Sequence, residues 1–387
     1  MSKINCEICG ASVHSIQIHL RDEHPDSSVE EYQLLYPDAP LLSDMAQSHL
    51  ASKKTDAPII RTAMAGAEAS VVPIGSAGVA RKPMHEQFSL GKVKAAMNAK
   101  GDPIPISVYS RGHAYDDMIP DIDKAYVFSI DLLKTVLLGL ELNIPTYLWG
   151  HAGVGKSTIL EQVCAHTNRP YMRVQHTANT EEAHIVGQTL ANEGGTYWDP
   201  GILQLAMKYG WTYNADEYDY AHASILSVYQ AVLEGKSLVT KEAPAEWRVV
   251  HPHKDFRFVA TGNTNGCGDE SGLYIGTNMG NAANYSRFGI TEQVQYMPKA
   301  QETAILVNQA GLVKEDAVKI VDFATDVRKA FDKGDVSMTI GPRELINASK
   351  LGLRRGSWRT GLTLAYINRL NKVDRETIDG IAQRVFD

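Results

Sequence analysis

Three groups of residues in this chain are spaced for chemistry on a phosphoanhydride. Gly150-His151-Ala152-Gly153-Val154-Gly155-Lys156-Ser157 fits G-x-x-x-x-G-K-[ST], with an apolar run at Tyr147–Trp149 before it and a helical pattern after it. Glycines let backbone N–H groups wrap phosphates, and a helix amino terminus adds a favourable dipole. On this reading the site runs from Gly150 to Thr158, Lys156 reaches the β and γ phosphates of ATP, and Ser157 ligates Mg²⁺. A surface lysine in a glycine turn is the bland alternative, and the flanking strand and helix argue against it.

Hydrolysis also needs a metal carboxylate and a group that activates water. Trp211-Thr-Tyr-Asn-Ala-Asp216-Glu217 reads as a strand ending in two carboxylates, roughly sixty residues after the loop. Asp216 would hold Mg²⁺ through its water shell, and Glu217 would polarise the attacking water. Phe256–Asn263 is a second apolar strand, ending in an amide that could orient that water. Taken singly, an acidic pair is often a cap and an asparagine a turn residue. Their order after the loop favours function.

A separate group stands at the start. Cys6-x2-Cys9-x9-His19-x4-His24 supplies the ligand types of tetrahedral Zn²⁺, with His14 as a spare ligand. Free thiols in a small helical segment are the alternative.

The elements that must position these groups follow from pattern and composition. Residues 1–44 form a compact Cys/His module, and residues 45–85, rich in Ser, Ala, Gly and Pro, read as a flexible linker. Residues 86–298 alternate strands and helices as a parallel sheet does, an α/β core, with strands at Thr146–Trp149, Tyr171–Gln175, Trp211–Ala215, Phe256–Thr261 and Glu292–Tyr296. Ile185–Leu190 and Thr196–Trp198 read as a hairpin whose Tyr197 and Trp198 either face outward to a binding partner or pack onto the core. Residues 299–387 read as helical, with apolar spacing at Thr303–Gln309, Val318–Phe331 and Pro342–Gly352.

Composition sets the outer limits. With 387 residues, 44% hydrophobic and 21% charged, the chain can bury the cores of two or three domains. No apolar run approaches the roughly 20 residues of a membrane helix, and the amino terminus lacks a secretory stretch, so a cytoplasmic protein without membrane contact is expected. Four cysteines, two of them in C-x-x-C, suit a metal site in a reducing compartment better than a disulfide framework. The formal charge is −7, and residues 1–50 set two basic against eight acidic side chains, a surface that repels DNA.

The motifs together carry a resemblance. Ile119-Pro120-Asp121-Ile122-Asp123, Gly150–Ser157, Asp216-Glu217-Tyr218-Asp219, Ala260-Thr261-Gly262-Asn263 and above all Gly266-Cys-Gly-Asp-Glu-Ser-Gly-Leu-Tyr274-Ile-Gly-Thr277 resemble the ATPase subunit of aerobic cobaltochelatase, the CobS type, in the MoxR branch of AAA+ proteins. The resemblance spans about residues 86–387. It implies a P-loop αβα core, a carboxy-terminal helical lid, a homo-oligomeric ring of six subunits and a partner with a von Willebrand factor A domain. It further implies that Arg287 is presented to the γ-phosphate in a neighbouring subunit and that Arg343, in Thr339-Ile-Gly-Pro-Arg343, touches nucleotide from the lid. Two positions depart from the family: Gly262 replaces the usual alanine, and Cys267 stands inside the glycine motif. The amino-terminal module instead resembles the Ros/MucR group of bacterial zinc fingers, through its Cys/His spacing and Glu30-Glu31-Tyr32…Tyr36-Pro37. Those fingers bind DNA; the acidic charge here favours protein docking.

The leading expectation is therefore an AAA+ ATPase that couples ATP hydrolysis to remodelling of a partner protein. One alternative is the cobaltochelatase motor itself, driving cobalt insertion. Another is a DNA-binding regulator guided by its zinc finger. With Lys156 and Glu217 both present, an inactive scaffold is disfavoured.

Overall fold

The structure, a computed structural model, describes residues 3–24, 28–37, 39–43, 78–192, 195–269 and 272–386. They fall into two units, one within residues 1–71 and one within 72–387. Of the stretch read as a linker, residues 45–77 lie outside the described residues.

The smaller unit is a two-stranded hairpin followed by two helices. Strands β1 (Ile4–Asn5) and β2 (Ser12–Val13) pair antiparallel, and helices α1 (Ile16–Glu23) and α2 (Val29–Leu35) follow. Ser15 caps α1, and Ser28 with Glu31 forms a capping box on α2, satisfying first-turn N–H groups. The buried core comprises Cys6, Ile16, Leu20 and Tyr32. So small a core gives little hydrophobic stabilisation, and units of this size usually carry a metal or cross-link.

The larger unit begins earlier than expected. Strand β3 (Val79–Pro83) pairs antiparallel with β4 (Pro105–Tyr109), although residues up to 85 read as linker. Nearly all of β3 is exposed, so it shows no hydrophobic alternation; backbone pairing holds it, helped by Arg81, which donates to Ser107 Oγ at 2.8 Å and to the Pro105 carbonyl at 3.1 Å.

Five parallel strands form the central sheet. After helix α3 (Ile130–Leu142) come β5 (Thr146–Trp149), helix α4 (Lys156–Thr167) and β6 (Tyr171–Gln175). Helix α5 (Glu182–Val186) and the hairpin β7 (Gly187–Asn192) and β8 (Gly195–Pro200) lead through helix α6 (Ile202–Tyr209) to β9 (Thr212–Asp216). A two-residue pair, β10 (Leu238–Val239) and β11 (Val249–Val250), precedes β12 (Arg257–Gly262), helix α7 (Ala282–Tyr285) and β13 (Ile290–Gln293). The sheet order is β13-β5-β12-β9-β6, all neighbours parallel. Every residue of β9 and β12 is buried, as covered parallel strands require, whereas the edge strands β6 and β13 carry exposed residues among half-buried ones.

Two strands start two residues away from the expected position. Ile185 and Val186 end helix α5 instead of opening the hairpin, because both side chains are buried and Gly187, at φ 104°, breaks the helix. The last strand is Ile290–Gln293 and not Glu292–Tyr296; it pairs from Pro145 onward, and Tyr296 has left the sheet to meet the helical segment. In the hairpin, Trp198 donates to Gln204 Oε1 at 3.2 Å and packs inward, while Tyr197 is 40% exposed.

The carboxy-terminal segment packs helices α8 (Lys299–Ala310), α9 (Lys314–Asp332), α10 (Pro342–Arg355), α11 (Trp358–Ala365) and α12 (Lys372–Phe386) around Phe323, Ile340, Tyr366 and Ile378. Arg328 ties this bundle together: it donates to both carboxylate oxygens of Glu302, at 2.7 and 2.9 Å, and lies 3.7 Å over the Tyr296 ring.

Candidate nucleotide site

Ligands of open parallel sheets sit beyond the carboxyl ends of the strands, and here those ends converge. The turn after β5 enters α4 through Gly155, whose φ of 97° is a left-handed conformation that favours glycine. At Gly150 a side chain would collide with the Val294 carbonyl, so the chain passes only as glycine. Lys156, 9% exposed, donates to Gly150 O at 2.6 Å, His151 O at 3.0 Å and Asn263 Oδ1 at 3.0 Å. Burial lowers its pKa to about 8, against the upward pull of Asp219, Asp216 and Glu217. The Asn263 amide, the sensor amide expected to orient water, thus touches the lysine expected to reach the phosphates.

The two carboxylates sit beside this lysine in different settings. Asp216 Oδ1 accepts from Ser157 Oγ at 2.6 Å and from the Thr261 hydroxyl, while Oδ2 accepts from Arg173 Nε at 2.6 Å. Ser157 and Asp216, the two residues expected to serve Mg²⁺, are therefore in direct contact, and this hydroxyl–carboxylate pair is a donor set suited to a hard cation. Glu217 takes a left-handed backbone, φ 53°, which is strained for a glutamate and lifts its side chain out of the strand register. Its Oε2 accepts from Gln175 Nε2 at 2.9 Å.

One cavity of about 310 Å³, at the small end of the usual ligand range, is lined by Lys156, Ser157, Thr158, Asp216, Glu217 and Asn263 on the sheet side and by Arg343 on the helical side. The remaining loop residues from Ala152 to Gly155 also line it, whereas Gly150 and His151 stand behind. Arg343 lies in the first turn of α10 and would bring its Cβ 3.5 Å from a Cβ on Gly153.

The chain matches known families on both sides of this cavity. Residues 145–278 match the AAA domain of the dynein-related subfamily, and residues 302–385 match the CbbQ/NirQ/NorQ C-terminal domain. The aerobic cobaltochelatase subunit CobS of Sinorhizobium sp is 31% identical over 290 residues, covering 73% of this chain and 86% of that protein.

The chain belongs to the CobS-like, MoxR-type AAA+ ATPases.

Further similarity is weaker. Protein CbbQ of Hydrogenophilus thermoluteolus is 26% identical, over 54% of this chain and 74% of its own. The von Willebrand factor A domain-containing protein 8 of Mus musculus is 23% identical over 79% of this chain, which spans 15% of that larger protein. As an AAA+ ATPase the chain hydrolyses ATP, and the parallel sheet with a carboxy-terminal helical bundle is the architecture expected of one.

In this AAA+ ATPase Arg287 does not line the cavity. It lies just past α7 and donates through Nε to Glu234 Oε1 at 2.7 Å. The structure thus separates it from the other expected site residues of the same chain.

Several residues at the site escaped the sequence reading. Arg173 and Gln175 lie two apart on β6, opposite Asn214 and Asp216 of β9, so alternate polar residues on a neighbouring strand were the available signal. Asp219, deeply buried, accepts from the backbone N–H groups of Asn263 and Thr264 at 2.8 Å each and from Thr264 Oγ1 at 2.9 Å, fixing the sensor amide. Burial raises its pKa, opposed by those hydrogen bonds.

In the amino-terminal unit, one ligand atom from each of Cys6, Cys9, His19 and His24 lies within 4.8 Å of all the others. Cys9 Sγ and His19 Nε2 are 3.1 Å apart, and His24 Nε2 is buried with no protein partner, a nitrogen that a metal would satisfy. Sulfur and imidazole in this arrangement fit tetrahedral Zn²⁺. The spare His14 is engaged elsewhere, 2.9 Å from Ser43 Oγ.

Proposed function

We propose that this AAA+ ATPase assembles into a ring, hexameric as the resemblance implies, and turns ATP hydrolysis into conformational work on a partner protein. The observation that carries the reading is the split between Lys156, Asn263, Glu217 and Arg343, gathered at one cavity, and Arg287, held by Glu234 away from it. This placement supports the expected role of Arg287 toward the nucleotide of a neighbouring subunit, a role that would make hydrolysis depend on assembly.

Each residue then has a task. The amides from Gly153 to Thr158, with Lys156, hold the triphosphate, and Arg343 closes on it from the lid. Ser157 and Asp216 would hold Mg²⁺, which when bound would supply positive charge beside the phosphates. Glu217 takes a proton from the attacking water, and Asn263, fixed by Asp219, orients it. Arg173 and Gln175 restrain the two carboxylates. His151 supports the loop from behind.

For the partner, a relative named for its von Willebrand factor A domain supports a protein of that class. Cobaltochelatase action is the narrower form of the proposal, supported by the 31% identity to CobS. We also assign Cys6, Cys9, His19 and His24 as a zinc site in a protein-docking module, since eight acidic side chains among residues 1–50 oppose binding to DNA. Paired thiols disposed for a metal fit a cytoplasmic protein. Among the described residues, no helix is long and apolar enough to cross a membrane.

The test is capture. Glu217→Gln protein, loaded with ATP and Mg²⁺, is expected to elute as a hexamer and to retain a von Willebrand factor A protein from the same cell. A monomer with ATP bound would contradict the ring.

A further inference from the structure

The most specific stretch of this sequence, Gly266–Thr277, takes no part in the chemistry above. Its neck is closed by Gly280, whose N–H donates to Gly266 O at 2.8 Å. The Tyr285 ring fills that neck; a Cβ on Gly266 would lie 2.8 Å from it. From the neck, the loop reaches two different turns.

Tyr274 reaches the phosphate-binding turn. Its hydroxyl accepts from Ala152 N at 3.0 Å and shares a hydrogen bond with His151 Nδ1 at 2.9 Å. Its own backbone is held by Asp269 Oδ2, which accepts from Tyr274 N at 2.6 Å. Asn278 reaches the turn that follows Asp216 and Glu217. Its backbone N–H donates to Asp219 O at 2.7 Å, and its side-chain amide donates to Tyr220 O at 3.0 Å.

These two turns leave β5 and β9, which β12 separates in the sheet, so no ladder hydrogen bond links them. We infer that Tyr274 and Asn278 are positioning residues of the ATPase reaction, through which the glycine loop fixes the phosphate-binding turn against the carboxylate turn. Displacements of about 1 Å between a phosphate and its attacking water cost large factors in rate, and loops beyond strand ends are free to make them. The brace meets the lid as well, since the His151 ring packs edge-on against Phe331 of α9, centroids 5.8 Å apart.

The inference rests on the nucleotide site proposed above, and the experiment separates the two. In the full chain, Tyr274→Phe keeps the ring and removes the hydroxyl; Asn278→Ala removes the amide. Loss of one such hydrogen bond predicts an effect of about fivefold. Tyr274→Phe is expected to raise KM for MgATP by that factor with kcat within about twofold of wild type, and Asn278→Ala to lower kcat with KM little changed. Melting temperatures and Lys156→Ala run alongside. If Lys156→Ala abolishes turnover while both variants keep wild-type kcat and KM, the brace is refuted and the site stands. Losses in kcat and KM together that track a lower melting temperature also refute it. Normal turnover by Lys156→Ala removes the site and the brace with it.

Discussion

The hydroxyl of Tyr147 occupies the place that a Cβ on Gly262 would take. That hydroxyl also donates to the Thr264 carbonyl at 2.6 Å, so tyrosine and glycine form one unit beneath the sensor amide. Gly262, where the resemblance leads to an expected alanine, leaves room for Tyr147.

Gly262→Ala is expected to destabilise the core by about 1–3 kcal/mol, as overpacking does, and to lower turnover by moving Asn263. Adding Tyr147→Phe should recover part of both losses. A double-mutant cycle by thermal unfolding measures the coupling, and strictly additive effects would contradict the pairing.

Arg287 and Glu217 are expected to belong to the same catalytic event but to different subunits. Arg287→Ala and Glu217→Gln should each bind MgATP and fail to turn it over. Mixed together, they should regain activity above either alone, because some interfaces then hold an intact pair. Mixtures no more active than the separate variants would argue against a shared site.

The four ligands at the amino terminus predict one Zn²⁺ per chain. Chelation should unfold that unit, seen as loss of far-ultraviolet ellipticity, while Cys6→Ser should abolish metal binding and His14→Ala should not. Zinc retained by Cys6→Ser would contradict the assignment.

Burial lowers the pKa of both His113 and His176, so each stays neutral in the fold at pH values where the unfolded chain takes up a proton. The unfolded state then binds more protons below about pH 6.5, and stability falls as pH falls through that value. Melting temperatures from pH 7.5 to 5.5 should decline, and His113→Gln should flatten the slope. A pH-independent melting temperature would contradict this.

The sequence was most legible where chemistry constrains local residue types. Asp216, Glu217 and Asn263 lie at or just past strand ends whose apolar patterns mark them, Lys156 opens the helix after the glycine turn, and the structure brings all four to one cavity. Arg173 and Gln175 were invisible because their partners lie at the end of β9 and just beyond it, about forty residues away, and an edge strand shows only weak alternation. Tyr274 was visible as part of a motif, but its contact with Ala152 spans 122 positions. Strand β3 was missed because pairing and Arg81, not burial, hold it.

The most direct test of the account is ATP turnover and binding by Glu217→Gln in the full chain. Binding of MgATP at wild-type affinity with turnover reduced at least about 100-fold is predicted, the scale of a lost general base. Turnover at the wild-type rate would contradict it.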